Sequence, residues 1–356
     1  MKIGIFDPYL DDLGGGEKYM MTIAQCLSRR HEVFVFWDNY KDVEVLLERF
    51  SLDLSGVCFT KNIFTPGVPF LERVLKTRSY DVIILLSDGS IPFVLSKKLF
   101  LHFQQPMQHV SVHSFKSKLK FRRVNGIFCN SQFTKSFIDR AFHTIAHVIY
   151  PPIELHSKKV AKENIILHVG RFRVKNVGIG DYKKQSVMID AFKKMVDNGL
   201  TYWKFTLAVS VQEKDVHEFE KLKKVAQGYP IEFVLNKSNE DLWNIYSRSK
   251  IYWHASGFGE DLITHPEYAE HFGISTVEAM GAGCVPVVID AGGQAEIVEN
   301  EKNGFLWKTL KDLQTKTKIL MEDEKLWKDM SLRAVERAEL FNNQRFCSEV
   351  SHIIQQ

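Results

Sequence analysis

The sequence predicts an α/β chain of two doubly wound, Rossmann-like domains joined near residue 152 and facing each other across a cleft. Three observations predict it. Apolar runs of Val, Ile, Leu and Phe without polar alternation fit parallel strands buried on both faces. These runs alternate with amphipathic segments, as βαβ units require. The alternation breaks once, at "YPPIELHSKKVAKEN" (150–164), where two prolines precede a polar, basic stretch.

The elements follow in order. "KIGIF" (2–6) leads through Gly14, Gly15 and Gly16 into an amphipathic stretch from Glu17 to Arg30. "EVFVFW" (32–37), "DVIILL" (81–86), "LFLHF" (99–103), "GIFCN" (126–130) and "HVIY" (147–150) complete the first half. After the break come "NIILHVG" (164–170), a helix from about Ser186 to Asn198, and "WKFTLAVS" (203–210). "IEFVL" (231–235), "KIYWHA" (250–255) and "CVPVVI" (284–289) are the remaining strands, and a charged helical tail runs from about Leu310. The expected domains are 1–151 and 152–335, with 336–356 a helix returning to the first domain.

The totals bound the function. A length of 356 residues suits two domains of ordinary size. The net charge of +4 is too small to argue for nucleic acid. Five cysteines without a CxxC pair read as reduced, buried thiols, neither a disulfide framework nor a zinc site. The chain enters a strand at once, which reads as no signal peptide. No apolar run reaches the roughly 18 residues of a membrane span. The expectation is a cytoplasmic protein.

Three stretches carry chemistry. The glycine turn at Gly14–Gly16 could admit an anion to a helix N-terminus, or could be a tight turn needing positive φ. Its spacing is not GxGxxG, and with both fingerprint loops absent an NAD-dependent dehydrogenase is disfavoured. Arg171 stands at the carboxyl end of a parallel strand, where open α/β sheets bind ligands. Lys183 and Lys184 precede the next helix, and Lys175 competes with them. An Arg and a Lys converging on one site suit a diphosphate, whereas a solvated basic loop is the commoner fate of a Lys-Lys pair. Finally, "EHFGISTVEAMGAGCVPVV" (270–288) brackets seven residues between Glu270 and Glu278. Ser275 and Glu278 read as a capping box. That leaves Glu270 on a loop facing the amides around Gly273, Ile274 and Ser275. Carboxylates there could accept bonds from neighbouring sugar hydroxyls.

This stretch resembles the E-x7-E motif of retaining glycosyltransferases of the GT-B fold, glycosyltransferase family 4. "GGGEK", "NSQFT", "YPPI", "VGRF", "KKQ", "GFGE" and "GGQAEIVENEKNGFLW" stand with it in family order over most of the chain. "EHFGISTVEAM" is also similar, at subfamily level, to mannosyltransferases of lipid-linked oligosaccharide assembly. The resemblance implies that Glu270 contacts the transferred hexose and Glu278 the ribose. It implies that Arg171 and Lys183 neutralise the diphosphate. The backbone at Phe272, Gly273 and Ile274 would hold hexose and phosphate, Gly15 or Gly16 would approach the phosphate, and His102 would lie near the reacting sugar. For His102 the other reading is a strand-end histidine satisfied by a backbone carbonyl. Two departures stand out: a long interval from Arg171 to Lys183, and an extended stretch at 257–269.

The implied reaction is retaining, metal-independent hexosyl transfer from a nucleotide-diphosphate sugar to a glycan or lipid-linked acceptor. GDP-mannose is preferred over UDP-sugars. No DxD and no ligand-spaced His/Cys/Asp cluster is present in the sequence. Residues 115–123 interleave Lys116, Lys118, Lys120, Arg122 and Arg123 with Phe115, Leu119 and Phe121. This segment could touch anionic lipid headgroups at the inner membrane face, or be a solvated helix face. A GT-B-fold epimerase and a non-catalytic sugar-nucleotide-binding paralogue are the alternatives.

Overall fold

The computed structural model describes residues 1–12, 14–50, 52–108, 115–156, 160–174 and 179–356. They form two compact units, Met1–Pro152 with Asn343–Gln356, and Ile153–Asn342. The return to the first unit thus begins at Asn343, seven residues beyond the boundary expected at 336.

The first unit runs β1 (Lys2–Phe6), α1 (Gly15–Ser28), β2 (Glu32–Phe36), α2 (Tyr40–Phe50), β3 (Val57–Thr60), α3 (Phe70–Thr77), β4 (Val82–Leu86), β5 (Lys98–Phe103), α4 (Phe115–Phe121), β6 (Gly126–Cys129), α5 (Gln132–Phe142) and β7 (His147–Val148). The second runs β8 (Glu163–Phe172), α6 (Gln185–Asp197), β9 (Lys204–Val211), α7 (Val216–Ala226), β10 (Ile231–Leu235), α8 (Asn239–Arg248), β11 (Ser249–His254), α9 (Ile274–Gly281), β12 (Val285–Ile289), α10 (Gln294–Ile297), β13 (Phe305–Trp307), α11 (Leu310–Glu322) and α12 (Glu324–Glu339). The last helix, α13 (Asn343–Ile353), belongs to the first unit.

Both sheets are parallel. Their orders are β3-β2-β1-β4-β5-β6-β7 and β10-β9-β8-β11-β12-β13. Period-two alternation explains why both faces of the first sheet are apolar. Val82, Ile84 and Leu86 join a core beneath α1 and α13, whereas Ile83 and Leu85 join a second core with Ile138 and Phe142 of α5. In the second unit Trp253, Phe205 and Phe192 pack together in a core that reaches Trp327 of α12.

One expectation about cysteine is overturned. Cys26 of α1 and Cys347 of α13 are joined in a disulfide across 321 residues of sequence. It fastens the returning helix to the first unit. Cys129 and Cys284 are buried thiols and Cys58 is exposed.

The glycine turn does not need positive φ. Gly14 has φ −101° and caps α1 from extended backbone, donating its N–H to Glu17 Oε2 at 2.5 Å. Gln104 packs closely on Gly16: a Cβ there would displace its Oε1, and its Nε2 donates to the Gly16 carbonyl at 3.1 Å.

Just before this turn, Asp7 is 1 % exposed, and its Oδ2 has no hydrogen-bond partner. Burial, aided by the charge of Glu17, raises its carboxyl from 3.8 to about 7, against the opposing bond from the Tyr9 amide. The folded state therefore holds this proton more tightly than the unfolded chain does. The stability it contributes is complete below about pH 4 and is lost as pH rises through 7. Urea unfolding is expected to show the wild type losing on the order of 2 kcal/mol between pH 5 and 8 relative to Asp7→Asn. Parallel pH profiles for the two proteins would sink this assignment.

Candidate active site

In the second sheet the chain leaves β8 in two directions. β9 lies on one side of β8 and β11 on the other. At such a switch point the crossover helices fall on opposite faces, and a crevice opens at the carboxyl ends of the strands. The candidate residues gather there. Arg171 is exposed, one residue before the end of β8, and paired in register with Ser210 of β9. His254 ends β11, and Lys183 stands just before α6.

Glu270 is the centre. Its side chain is 18 % exposed, and Lys183 Nζ lies 2.5 Å from its Oε2. His254 Nε2 lies 2.8 Å from the same oxygen. Because a carboxylate accepts, Nε2 carries the hydrogen. Burial alone would raise the Glu270 carboxyl, but the Lys183 charge and the His254 bond outweigh it and hold it well below the usual range. Burial pushes His254 the other way, toward the neutral form, against the pull of Glu270.

The backbone around Glu270 is as constrained as its side chain. Gly293 donates its N–H to the Glu270 carbonyl at 2.8 Å. A Cβ on Gly292 would lie 2.2 Å from that carbonyl oxygen, and one on Gly293 2.4 Å from Phe272 Cα. Tyr182, buried beside the cluster, donates to the Ala269 carbonyl at 2.8 Å. The 257–269 stretch is tied down further by the ion pair of Lys184 with Glu260. Lys184 is thus spent on structure: it is the N-cap of α6, with φ 54°. Of the basic candidates among the described residues, Lys183 is the one paired with Glu270; Lys175 lies outside the described residues.

The start of α9 differs from the expected capping box. Gly273, with φ 125°, is the N-cap, and Ser275 lies in the first turn. The Ser275 hydroxyl instead pairs with Tyr252 Oη at 2.7 Å. Only glycine fits at 273, where a Cβ would meet Gln294 Nε2 at 2.5 Å. Gln294 in turn accepts from Thr276 Oγ1 at 2.8 Å. The amides of Thr276 and Val277 return to the Gly273 carbonyl. The amides of Ile274 and Ser275 therefore precede the intrahelical ladder and carry the helix's partial positive charge. Phe272 is buried, its ring 5.5 Å from that of Phe341, so only its backbone can serve a ligand. Glu278 sits one turn into α9 and accepts from Tyr246 Oη at 3.0 Å.

His102 is held by the packing around it. It lies in the first unit, 0 % exposed, stacked between Tyr19 and Phe128 with ring centroids 4.2 and 4.6 Å away. Its Nδ1 donates to the Phe128 carbonyl at 3.1 Å. Burial lowers its pKa to about 3, so it is neutral at pH 7. β5 turns the ring inward, where its Nε2 has no hydrogen-bond partner among the described residues.

His254 and His168 were missed by sequence reasoning. His168, on β8, is fully buried and donates from Nδ1 to the Trp253 carbonyl at 3.0 Å. The signal for His254 was available: it occupies the end of a parallel strand, the same argument that singled out Arg171. A separate hollow of about 420 Å³, lined by Lys223, Tyr229 and Phe233 among others, sits by the amino end of β10 and includes none of these residues. Among the described residues no group of three His, Cys, Asp or Glu could hold a metal ion, and no helix is long and apolar enough to cross a membrane.

The family model for "Glycosyl transferases group 1" matches residues 153–337, a little over half of the chain. The chain belongs to this family. It is 23 % identical over 290 residues to the Dictyostelium discoideum GDP-Man:Man(3)GlcNAc(2)-PP-Dol alpha-1,2-mannosyltransferase, covering 77 % of this chain and 54 % of that protein. The Homo sapiens protein of the same name is 29 % identical over 189 residues, 47 % of this chain and 34 % of that one. A Campylobacter jejuni N,N'-diacetylbacillosaminyl-diphospho-undecaprenol alpha-1,3-N-acetylgalactosaminyltransferase is 38 % identical over 81 residues, 22 % of this chain and 21 % of its own. The chain therefore spans about half the length of these curated relatives, or less. Anabaena Alr3699/HepE, solved in complex with UDP, superposes with a TM-score of 0.77 at 20 % identity over the full length of both chains. Sucrose-phosphate synthase from Thermosynechococcus elongatus superposes at 0.69 and 15 % identity over 100 % and 98 % of the two chains. These likenesses show the GT-B fold.

Proposed function

We propose that this glycosyltransferase moves a hexose from a nucleotide-diphosphate sugar to a glycan or lipid-linked acceptor hydroxyl, with retention of configuration and without a metal ion, as in family 4 with its E-x7-E motif. One observation carries the reading: Lys183, His254 and Glu270 converge beside the α9 N-terminus at the switch point of the second sheet. Arg171, Lys183 and the Ile274 and Ser275 amides then face the diphosphate. Their fixed positive charge stabilises the leaving group as the glycosidic bond breaks. The hexose hydroxyls fall to Glu270 and the Gly273 backbone, and the ribose to Glu278. The attacking hydroxyl gives its proton to the departing phosphate oxygen on the same face.

GDP-mannose is the preferred donor, since the Dictyostelium and human relatives are named for GDP-Man; UDP-sugars are the competitors. The lipid-linked acceptor likewise rests on the names of those relatives and of the Campylobacter one. A cytoplasmic location, with residues 115–123 touching anionic lipid, suits such an acceptor; on α4 Leu119 is half exposed, whereas Phe121 packs inward on Phe142. Gly15 and Gly16, at the start of α1, remain a proposed anion approach.

The test is a panel of GDP-, UDP- and ADP-sugars incubated without metal, with and without a lipid-linked acceptor. Free nucleotide diphosphate is measured for wild type and Glu270→Ala. Release from one donor, lost in the variant, is expected. An epimerised sugar nucleotide as the product would favour the epimerase instead. Tight binding without release, with or without acceptor, would make the chain a binding paralogue.

A further inference from the structure

Lys183 and His254 share one oxygen of Glu270, and the proposed function asks Lys183 to serve a diphosphate as well. Among the described residues, both bonds that the Glu270 side chain accepts fall on Oε2. An ammonium neutralising a largely buried carboxylate is only partly available to a second anion. When Lys183 turns to the diphosphate, Glu270 keeps a negative charge in a low-dielectric site with one partner, the His254 Nε2–H.

We propose that His254 is the positioning residue for Glu270 and takes over its charge: donor binding draws Lys183 from Glu270, and His254 becomes imidazolium by taking up one proton at Nδ1. The inference rests on the donor site described under the proposed function, but goes beyond it, since it assigns a residue and a proton to the binding step.

The surroundings are built for that proton. His254 is 1 % exposed, and its Nδ1 has no hydrogen-bond partner. His168 Nε2 is likewise buried without a partner, and the two rings lie 6.2 Å apart between centroids. Two neighbouring buried lone pairs are unsatisfied as the structure stands, and a proton on His254 Nδ1 supplies the missing donor, directly or through one water. The charged and titratable groups facing His254 come from every adjoining element: His168 from β8, Lys183 from the start of α6, and Glu270 from the loop before α9. Ser256 adds a hydroxyl 3.5 Å from Nε2, and β12 places Val288 in register beside it. In the free protein Lys183 opposes protonation of His254 and Glu270 favours it; removing the first leaves the second.

Calorimetric titration with GDP and UDP at pH 7, in Pipes and in Tris buffer, counts the protons exchanged on binding. Wild type is expected to take up close to one proton more than His254→Gln. That variant keeps an amide donor for Glu270. Comparing the two proteins cancels protons exchanged by the nucleotide itself. Equal proton counts with intact binding would overturn the hand-over while leaving the donor site standing. If neither nucleotide binds wild type, the donor-site reading fails and the hand-over with it. A second measurement needs no ligand. In free protein with labelled histidine rings, Lys183→Met should raise the His254 titration midpoint by at least one pH unit; an unchanged midpoint rejects the proposal.

Discussion

Lys183→Ala is expected to slow nucleotide release from the productive donor by about two to three orders of magnitude, the usual effect of deleting one preorganised charge-stabilising group. Its partner geometry makes this a sharp test. Lys183 Nζ reaches Glu270, whereas Lys184 is buried against Glu260. Lys184→Ala should therefore cost less than about tenfold in rate and act through stability, since it removes an ion pair with little exposure on either side. Lys183→Ala also loses stability, about 3 kcal/mol, because its ion pair is as little exposed and Glu270 keeps only the His254 bond. Rates measured below each variant's melting temperature separate the two effects. A larger rate loss in the Lys184 variant than in the Lys183 variant would reverse the assignment.

The second large effect belongs to a glycine. Gly293→Ala places a methyl 2.4 Å from Phe272 Cα and 2.6 Å from the carbonyl oxygens of His271 and Phe272. All three are backbone atoms, so no rotamer change relieves the clash. The segment carrying Glu270 must move, and the Gly293 N–H bond to its carbonyl breaks with it. The expected cost is about 3 kcal/mol, the upper end for overpacking, with nucleotide binding weakened at least tenfold. Gly199→Ala is the comparison. It has φ 94° but open space around its Cβ, so only the backbone conformation is penalised, by about 1 kcal/mol. Chemical unfolding of both variants, with calorimetric binding of GDP and UDP, decides the matter. Equal costs would show that conformation, and not the close approach of two backbones, explains the glycine at 293.

The central strands were legible because they are buried on both faces and read as unbroken apolar runs. β4 is VIILL, buried at every position. The two strands that escaped notice, β3 and β13, are short edge strands of four and three residues. β3 alternates a buried Val57 with an exposed Cys58, too brief a pattern to stand out. The charged tail read as one helical stretch is three helices. Asp323 ends α11 and caps α12, and the chain changes units after Asn342.

The candidate site divides in the same way. Glu270, Glu278 and Arg171 could be picked out from one sequence because their chemistry depends on local position: a strand end, a loop before a glycine, the first turn of a helix. The choice among lysines could not, because it turns on which ammonium reaches a carboxylate 87 residues away. His102 and His254 both lie at the carboxyl end of an apolar strand, and sequence alone does not tell a ring packed among aromatics from one bonded to a carboxylate. The disulfide between Cys26 and Cys347 was invisible for the same reason, its partners being 321 residues apart.

By itself the sequence determined the layered α/β architecture, the break near residue 152 and the family motifs, since periodicity and turn chemistry are properties of neighbours in the chain. Tertiary structure decided that Lys183 pairs with Glu270, that His254 supports it, that Gly273 and not Ser275 caps α9, and that His102 is sealed in a core. Those outcomes depend on distances between segments remote in sequence, and only the closed packing of the sheet and its helices sets them.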